Sequence, residues 1–159
     1  MFTRILVPTD FSVQADAALA HARALAAQFG ATLHVLHVFE NVFLRAVVGD
    51  PRDLETAARR SLEDRLTPED RQLGAVAELQ VGDEPAKEIA QYARGAGIDL
   101  IVMGTHGRTG LPHVLLGSVA EHVVRTAPCP VLTLRGVHRL RGADHVQPHS
   151  RSDGFQRAV

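Results

Sequence analysis

The segment from Asp99 to Met103 reads DLIVM, a strand pattern with no polar alternation beyond its first residue. Such a strand leaves neither face to water, which points to a parallel sheet covered by helices on both sides. The rest of the chain supplies that cover. Arg4 to Thr9, RILVPT, predicts a short buried strand, followed by Asp10 and Ser12 as cap candidates. An alanine-rich helix then runs to Phe29 with Ala15, Ala18, Leu19, Ala22, Leu25, Ala26 and Phe29 on one face. Gly30 ends it, and Ala31 to Phe39, ATLHVLHVF, predicts a second strand that closes a first βαβ unit. Beyond a loop marked by Gly49, Asp50 and Pro51, a helix is expected from about Arg52 to Leu66, with Leu54, Ala57, Ala58, Ser61 and Leu62 inward. Ala75 to Val81, Asp99 to Met103 and Pro130 to Leu134 predict three further strands. A helix through Arg94 separates the first two, and a last helix turns Val119, Ala120, Val123 and Val124 inward. The sum is an α/β chain: a three-layer, doubly wound, five-stranded parallel sheet.

Composition removes several functions. A chain of 159 residues can bury about 68–70% of the surface its unfolded form exposes, so disulfides are not needed. The single cysteine, Cys129, lies between Pro128 and Pro130 and has no partner in the sequence. With a net charge of −1 the chain lacks a generally basic surface, and no nucleic-acid partner is expected. No signal-peptide pattern and no apolar run long enough to span a bilayer occur, so a cytoplasmic protein without membrane contact is expected. Lys87 is the only lysine and G-x4-G-K-[ST] is absent, which rules out a conventional P-loop. The nine histidines do not make a metal site: His34 and His37 are three apart on a strand and face opposite ways, and His106 and His113 lack ligands at metal spacing.

What the sequence does offer is a stretch for holding phosphate. From Ile101 to Val119 it reads IVMGTHGRTGLPHVLLGSV, in which Gly104 ends a strand, Gly107 follows, and Gly117 and Ser118 open the next helix. Glycines at a strand exit let backbone approach an anion, and the amides and positive dipole end of the following helix supply donors and field. The Ser118 hydroxyl can cap that helix and donate to an anion. This G-x2-G-x9-G-[ST] spacing resembles the signature of nucleotide-binding members of the universal stress protein family. The opening ILVPTDFS (Ile5 to Ser12) and the closing APCPVLTLR (Ala127 to Arg135) resemble the same family, so the likeness covers residues 1–135.

The resemblance implies the strand order 3-2-1-4-5 of an adenine nucleotide alpha hydrolase-like fold, a universal stress protein domain over residues 1–135, and ATP or another adenine nucleotide, with Mg2+ on its phosphates, as ligand. In that order strands 1 and 4 are neighbours, and the crevice at their carboxyl ends is the topological switch point. The implied nucleotide-binding residues are Pro8, Thr9, Asp10, Val38, Met103, Gly104, Gly107, Arg108, Gly117, Ser118 and Val119. Asp10 would contact the ribose or base, a role that coexists with capping the first helix. Val38 resembles the position whose backbone meets the adenine edge, and Met103 would pack near ribose and base; read alone, both are ordinary core positions. Arg108 has two readings, a guanidinium reaching the terminal phosphate or a solvated arginine, and His106 is read as pointing to solvent. The family's habit of pairing through the last strand implies a homodimer through Val131 to Arg135, where VLTLR would otherwise be an exposed edge. Residues 136–159, with few large apolar residues, read as a disordered tail.

The function implied is therefore a nucleotide-binding regulatory protein of the stress response, acting through dimer or partner contacts. No catalytic residue is assigned, and at most slow ATP hydrolysis or self-phosphorylation is expected, because amides, one arginine and an aspartate supply binding better than phosphoryl-transfer chemistry. Two alternatives stand beside it. A nucleotidyl-transfer enzyme of the same fold class would need an H-x-G-H loop where this chain has Pro8, Thr9 and Asp10. An interaction module without nucleotide would ordinarily lose the glycine signature that is intact here.

Overall fold

The structure, a computed structural model, describes residues 1–40, 51–105 and 116–135. In chain order these form β1 (Arg4–Pro8), α1 (Val13–Phe29), β2 (Thr32–Glu40), α2 (Pro51–Glu63), α3 (Pro68–Gln72), β3 (Val76–Gly82), α4 (Pro85–Gly95), β4 (Leu100–Gly104), α5 (Ser118–Thr126) and β5 (Val131–Leu134). The five strands make one sheet in the order β3-β2-β1-β4-β5, and every pairing is parallel. Fold and strand order are those expected, with strand limits shifted by one residue at most.

Alternation along each strand divides the core in two. Ile5 and Val7 of β1, Leu33 and Val35 of β2, and Leu100 and Val102 of β4 meet the small face of α1 (Ala18, Leu19, Ala22, Ala26) and Ala58 and Leu62 of α2. The intervening Leu6, Leu36, Ile101 and Met103 meet Ala86, Ile89 and Ala93 of α4 and Ala120 and Val123 of α5. The large β1, β2 and β4 side chains are almost wholly buried, each worth about 1.5–3 kcal/mol relative to exposure, so the central strands fix the layering. Helix α1 ends at Gly30, whose φ of 65° is left-handed and whose amide donates to the Ala26 carbonyl, a geometry glycine adopts without strain.

Three details differ from expectation. The helix predicted through Leu66 stops at Glu63, and a separate short helix, α3, follows, capped by Thr67 in a capping box in which Thr67 and Asp70 satisfy each other's backbone amides. Ala57 is exposed, although Ala58 and Leu62 of the same predicted face are buried. On α5 only Ala120 and Val123 are buried; Val119 and Val124 are exposed, because the helix covers the flank of the sheet with a narrow stripe. The proposed tail, residues 136–159, lies outside the described residues. No helix among the described residues is long and apolar enough to cross a membrane.

Candidate nucleotide crevice

The site begins where β1 runs out. The Thr9 amide donates to the Leu36 carbonyl at 2.8 Å, extending the β1–β2 ladder one residue past Pro8, and Thr9 is buried. The Thr9 carbonyl accepts a 2.7 Å hydrogen bond from His37 Nδ1. A carbonyl can only accept, so Nδ1 carries the proton. The chain then turns sharply: the Phe11 amide donates to Thr9 Oγ1 at 3.0 Å and the Ser12 amide to Asp10 Oδ1 at 3.1 Å. Ser12, not Asp10, is the N-cap of α1, its hydroxyl accepting from the Ala15 amide at 3.2 Å. Asp10 therefore organises the turn before the helix, a side-chain-to-backbone bond typical of aspartate in such turns.

The second wall comes from β4. β1 pairs in parallel with β4 through Ile5–Leu100 and Leu6–Ile101, so the two strands run toward the same edge of the sheet, where Pro8 ends one and Gly104 the other. Beyond Gly104, the Thr105 amide donates to the Leu134 carbonyl at 2.9 Å, and the Thr105 carbonyl accepts from the Gly117 amide at 2.6 Å. The two ends of the glycine signature are thus tied together at the mouth of the crevice.

The two described signature glycines serve different ends. A Cβ on Gly104 would lie 3.2 Å from Gln14 Cβ and 3.3 Å from the Gln14 carbonyl oxygen, so its small size lets α1 pack against the end of β4. Gly117 is the N-cap of α5 at φ −68° and ψ 156°, extended backbone that any residue adopts. Its conformation does not call for glycine; what distinguishes it is the missing side chain. Ser118 is the first residue of α5 and exposed, so its hydroxyl is not the cap, contrary to that reading of the sequence. The amides of Ser118, Val119 and Ala120 belong to the helix turn that has no intrahelical acceptor.

Of the expected binding residues, Pro8, Thr9 and Asp10 stand at the exit of β1 and Met103 and Gly104 at the exit of its neighbour β4, with Gly117 hydrogen-bonded to Thr105 and Ser118 the next residue along. Val119 stands exposed one residue into α5, and Val38 is half-buried on β2, packed on the α4 side of the core. Met103 is buried in that core. Gly107 and Arg108, with His106, lie outside the described residues. The sequence reading passed over Phe11, which has a positive φ, and Arg65 above its ring. Aromatic character so near Asp10 was the only available signal.

Two of the cavities among the described residues lie near the sheet. The larger, about 550 Å³, opens between β3 and α4 and is lined by Gln80, Glu88, Gln91 and Tyr92 among others, away from the glycines. The smaller, about 200 Å³, lies between the N-termini of α4 and α5 and includes Lys87, Ser118, Val119 and His122. Size favours the first; the convergence of the β1 and β4 exits favours the crevice, and strand-exit geometry outweighs volume in an open α/β sheet. Among the described residues no group of three or more His, Cys, Asp or Glu could hold a metal. His34 and His37 do face opposite sides: His34 Nδ1 shares a 2.8 Å hydrogen bond with the Tyr92 hydroxyl, while His37 stacks on Phe11. Burial, and then the charge of Arg4, push His34 below its ordinary pKa, and burial, then Asp99, raise the Cys129 thiol.

The sequence profile of the universal stress protein family matches residues 1–135. A universal stress protein from Thermus aquaticus is 40% identical over 140 residues, 85% of this chain and all of that one (100%). Universal stress protein MJ0577 of Methanocaldococcus jannaschii is 33% identical over 156 residues, 85% of this chain and 96% of its own. The solved structure of MJ0577 superimposes with a TM-score of 0.74, covering 87% of this chain and 99% of that one. A universal stress protein from Archaeoglobus fulgidus, solved in complex with dAMP, is 26% identical with a TM-score of 0.57, covering 83% of this chain and 97% of that one. Profile, relatives and fold agree, and the chain belongs to the universal stress protein family.

Proposed function

We propose that this protein is a nucleotide-binding regulator of the stress response that takes ATP, or another adenine nucleotide, in the crevice between the β1 and β4 exits. The carrying observation is the meeting of the signature's two ends through the Gly117 to Thr105 hydrogen bond at the end of β4, with the Asp10 turn at the end of the neighbouring strand β1. Phosphates would lie over Gly104 and Gly107 and against the Gly117, Ser118 and Val119 amides, where donors and the helix dipole favour negative charge. Arg108 is assigned to the terminal phosphate and Mg2+ to the phosphate oxygens. Asp10 is assigned to the ribose or base, whose hydroxyls and amine are donors suited to a carboxylate acceptor. The dAMP complex of the A. fulgidus relative supports an adenine ligand for this crevice.

Binding rather than turnover is the activity proposed, with residues 1–135 as the functional domain and residues 136–159 as a tail outside it. Occupancy would be read through a homodimer formed along β5. Leu132 is 39% exposed, and among the described residues β5 pairs only with β4. An apolar edge strand of this kind is a ready template for a second copy. Purified protein, denatured and analysed by mass spectrometry, should release an adenine nucleotide; release of a different class of molecule counts against the assignment. Leu132→Asp should convert the dimer to monomer in light scattering, and an unchanged mass would remove this interface.

A further inference from the structure

We propose that Phe11, clamped between Arg65 and His37, is the positioning residue for the nucleoside half of the crevice, an inference that rests on the nucleotide reading above. Phe11 has a φ of 65°, the only positive φ at a non-glycine position among the described residues. The left-handed region brings an L-residue's Cβ against its own carbonyl, so an aromatic residue persists there only where its surroundings hold it. Those surroundings are explicit. The Phe11 ring lies 4.3 Å from the His37 ring, centroid to centroid, and the Arg65 guanidinium sits 4.6 Å from its centre.

Both clamping groups are themselves fixed. His37 donates to the Thr9 carbonyl at 2.7 Å. Arg65 Nε donates to Asp16 Oδ1 at 2.9 Å and its Nη1 to the Ser61 carbonyl at 3.0 Å, while its own carbonyl accepts from the Arg23 guanidinium. Arg23 Nε in turn pairs at 2.8 Å with Asp70, a buried carboxylate. The ring is thus gripped by β2 and by the turn after α2, elements far in sequence from Asp10. The consequence falls on the backbone between Asp10 and Ser12, whose direction decides where the Asp10 carboxylate is presented. Phe11 and Arg65 act through Asp10 and need not touch ligand.

The prediction is an unusual order of variants. Alanine at position 11 loses the clamp and still disfavours the left-handed backbone. Its competent conformer becomes outnumbered, and apparent affinity for adenosine should fall about tenfold. Glycine also loses the ring but enters the left-handed region about as readily as the right-handed one, so the loss should be only about twofold. A role confined to packing would give the reverse order, because glycine leaves the larger void. Since the clamp acts on the nucleoside end, the ratio of ATP to adenosine affinity should stay at its wild-type value in both variants.

Calorimetric titration of the full chain with adenosine and with ATP, for wild type, Phe11→Ala, Phe11→Gly and Arg65→Met, tests this. Expected are binding in the order wild type, Gly, Ala, with Arg65→Met weakened by a common factor for both ligands. Wild-type binding with the Ala and Gly variants equal, or with Gly the weaker, overturns the positioning role alone. Wild type that takes neither ligand overturns the nucleotide reading and this proposal with it.

Discussion

The two strand exits that flank the crevice are held in different ways. At the end of β1, side chains do the holding: Thr9 and Asp10 each accept an amide two residues ahead, Ser12 caps the helix, and the Phe11 ring is wedged between His37 and Arg65. At the end of β4, backbone does it: the Thr105 amide donates to the Leu134 carbonyl and its carbonyl accepts from the Gly117 amide, and Gly104 leaves its space to Gln14. The first arrangement presents a carboxylate in a defined direction. The second presents amides and room. A carboxylate and a row of amides suit the two chemically different halves of a nucleotide, donor-rich at the nucleoside and anionic at the phosphates.

If the exits divide the work this way, substitutions at them should separate binding from stability. The largest effect is expected at Gly117. Its extended backbone accepts valine, so Gly117→Val should leave far-UV circular dichroism intact while nucleotide binding disappears in titration; normal binding by this variant would move the phosphate site elsewhere. Gly104→Val should cost stability as well. The added Cβ meets Gln14 backbone and side chain at 3.2–3.3 Å, and overpacking of this sort costs about 1–3 kcal/mol, measurable by chemical denaturation. Full stability in that variant would mean that the end of β4 and α1 can separate.

Ser12→Ala is expected to cost about 1 kcal/mol by removing the α1 cap, again read by denaturation, with little change in affinity. The smallest effect concerns a residue away from both exits. His34 has a folded pKa below its ordinary 6.5. Below that pH the unfolded chain takes a proton that the folded chain resists, so the contribution is intact above about pH 6.5 and stability falls as pH drops beneath it. His34→Asn should flatten that decline in denaturation curves collected across the window; an unchanged slope would mean that the loss arises at other groups. Asp99 adds to the decline at lower pH. Burial acts to raise its pKa, but hydrogen bonds from Thr3 and Arg4 and the N-terminal charge outweigh it and hold the carboxyl below its usual value.

The sheet was legible because its signals are local. LIVM and RILVP are apolar on both faces, and Gly30 marks the end of α1 in sequence as in structure. The glycine spacing was legible for the same reason, since the backbone exit at β4 depends on which residues lack side chains. Helix α3 escaped because five residues carry no helical period, although Thr67, Pro68 and Asp70 spell its cap. Val119 and Val124 were misread as buried because periodicity says which residues share a face but not how much of that face the sheet covers. The clamp on Phe11 was invisible altogether. Phenylalanine argues against a left-handed backbone, and the groups that enforce it come from β2 and the turn after α2, which only the folded chain brings together.

Calorimetric titration of the full chain with ATP, ADP, AMP and cyclic AMP is the most direct test of the crevice as an adenine-nucleotide site. Saturable binding of at least one of them is predicted. No heat and no saturation with any of the four would contradict the assignment, leaving the glycines as packing and turn geometry and the protein as an interaction module.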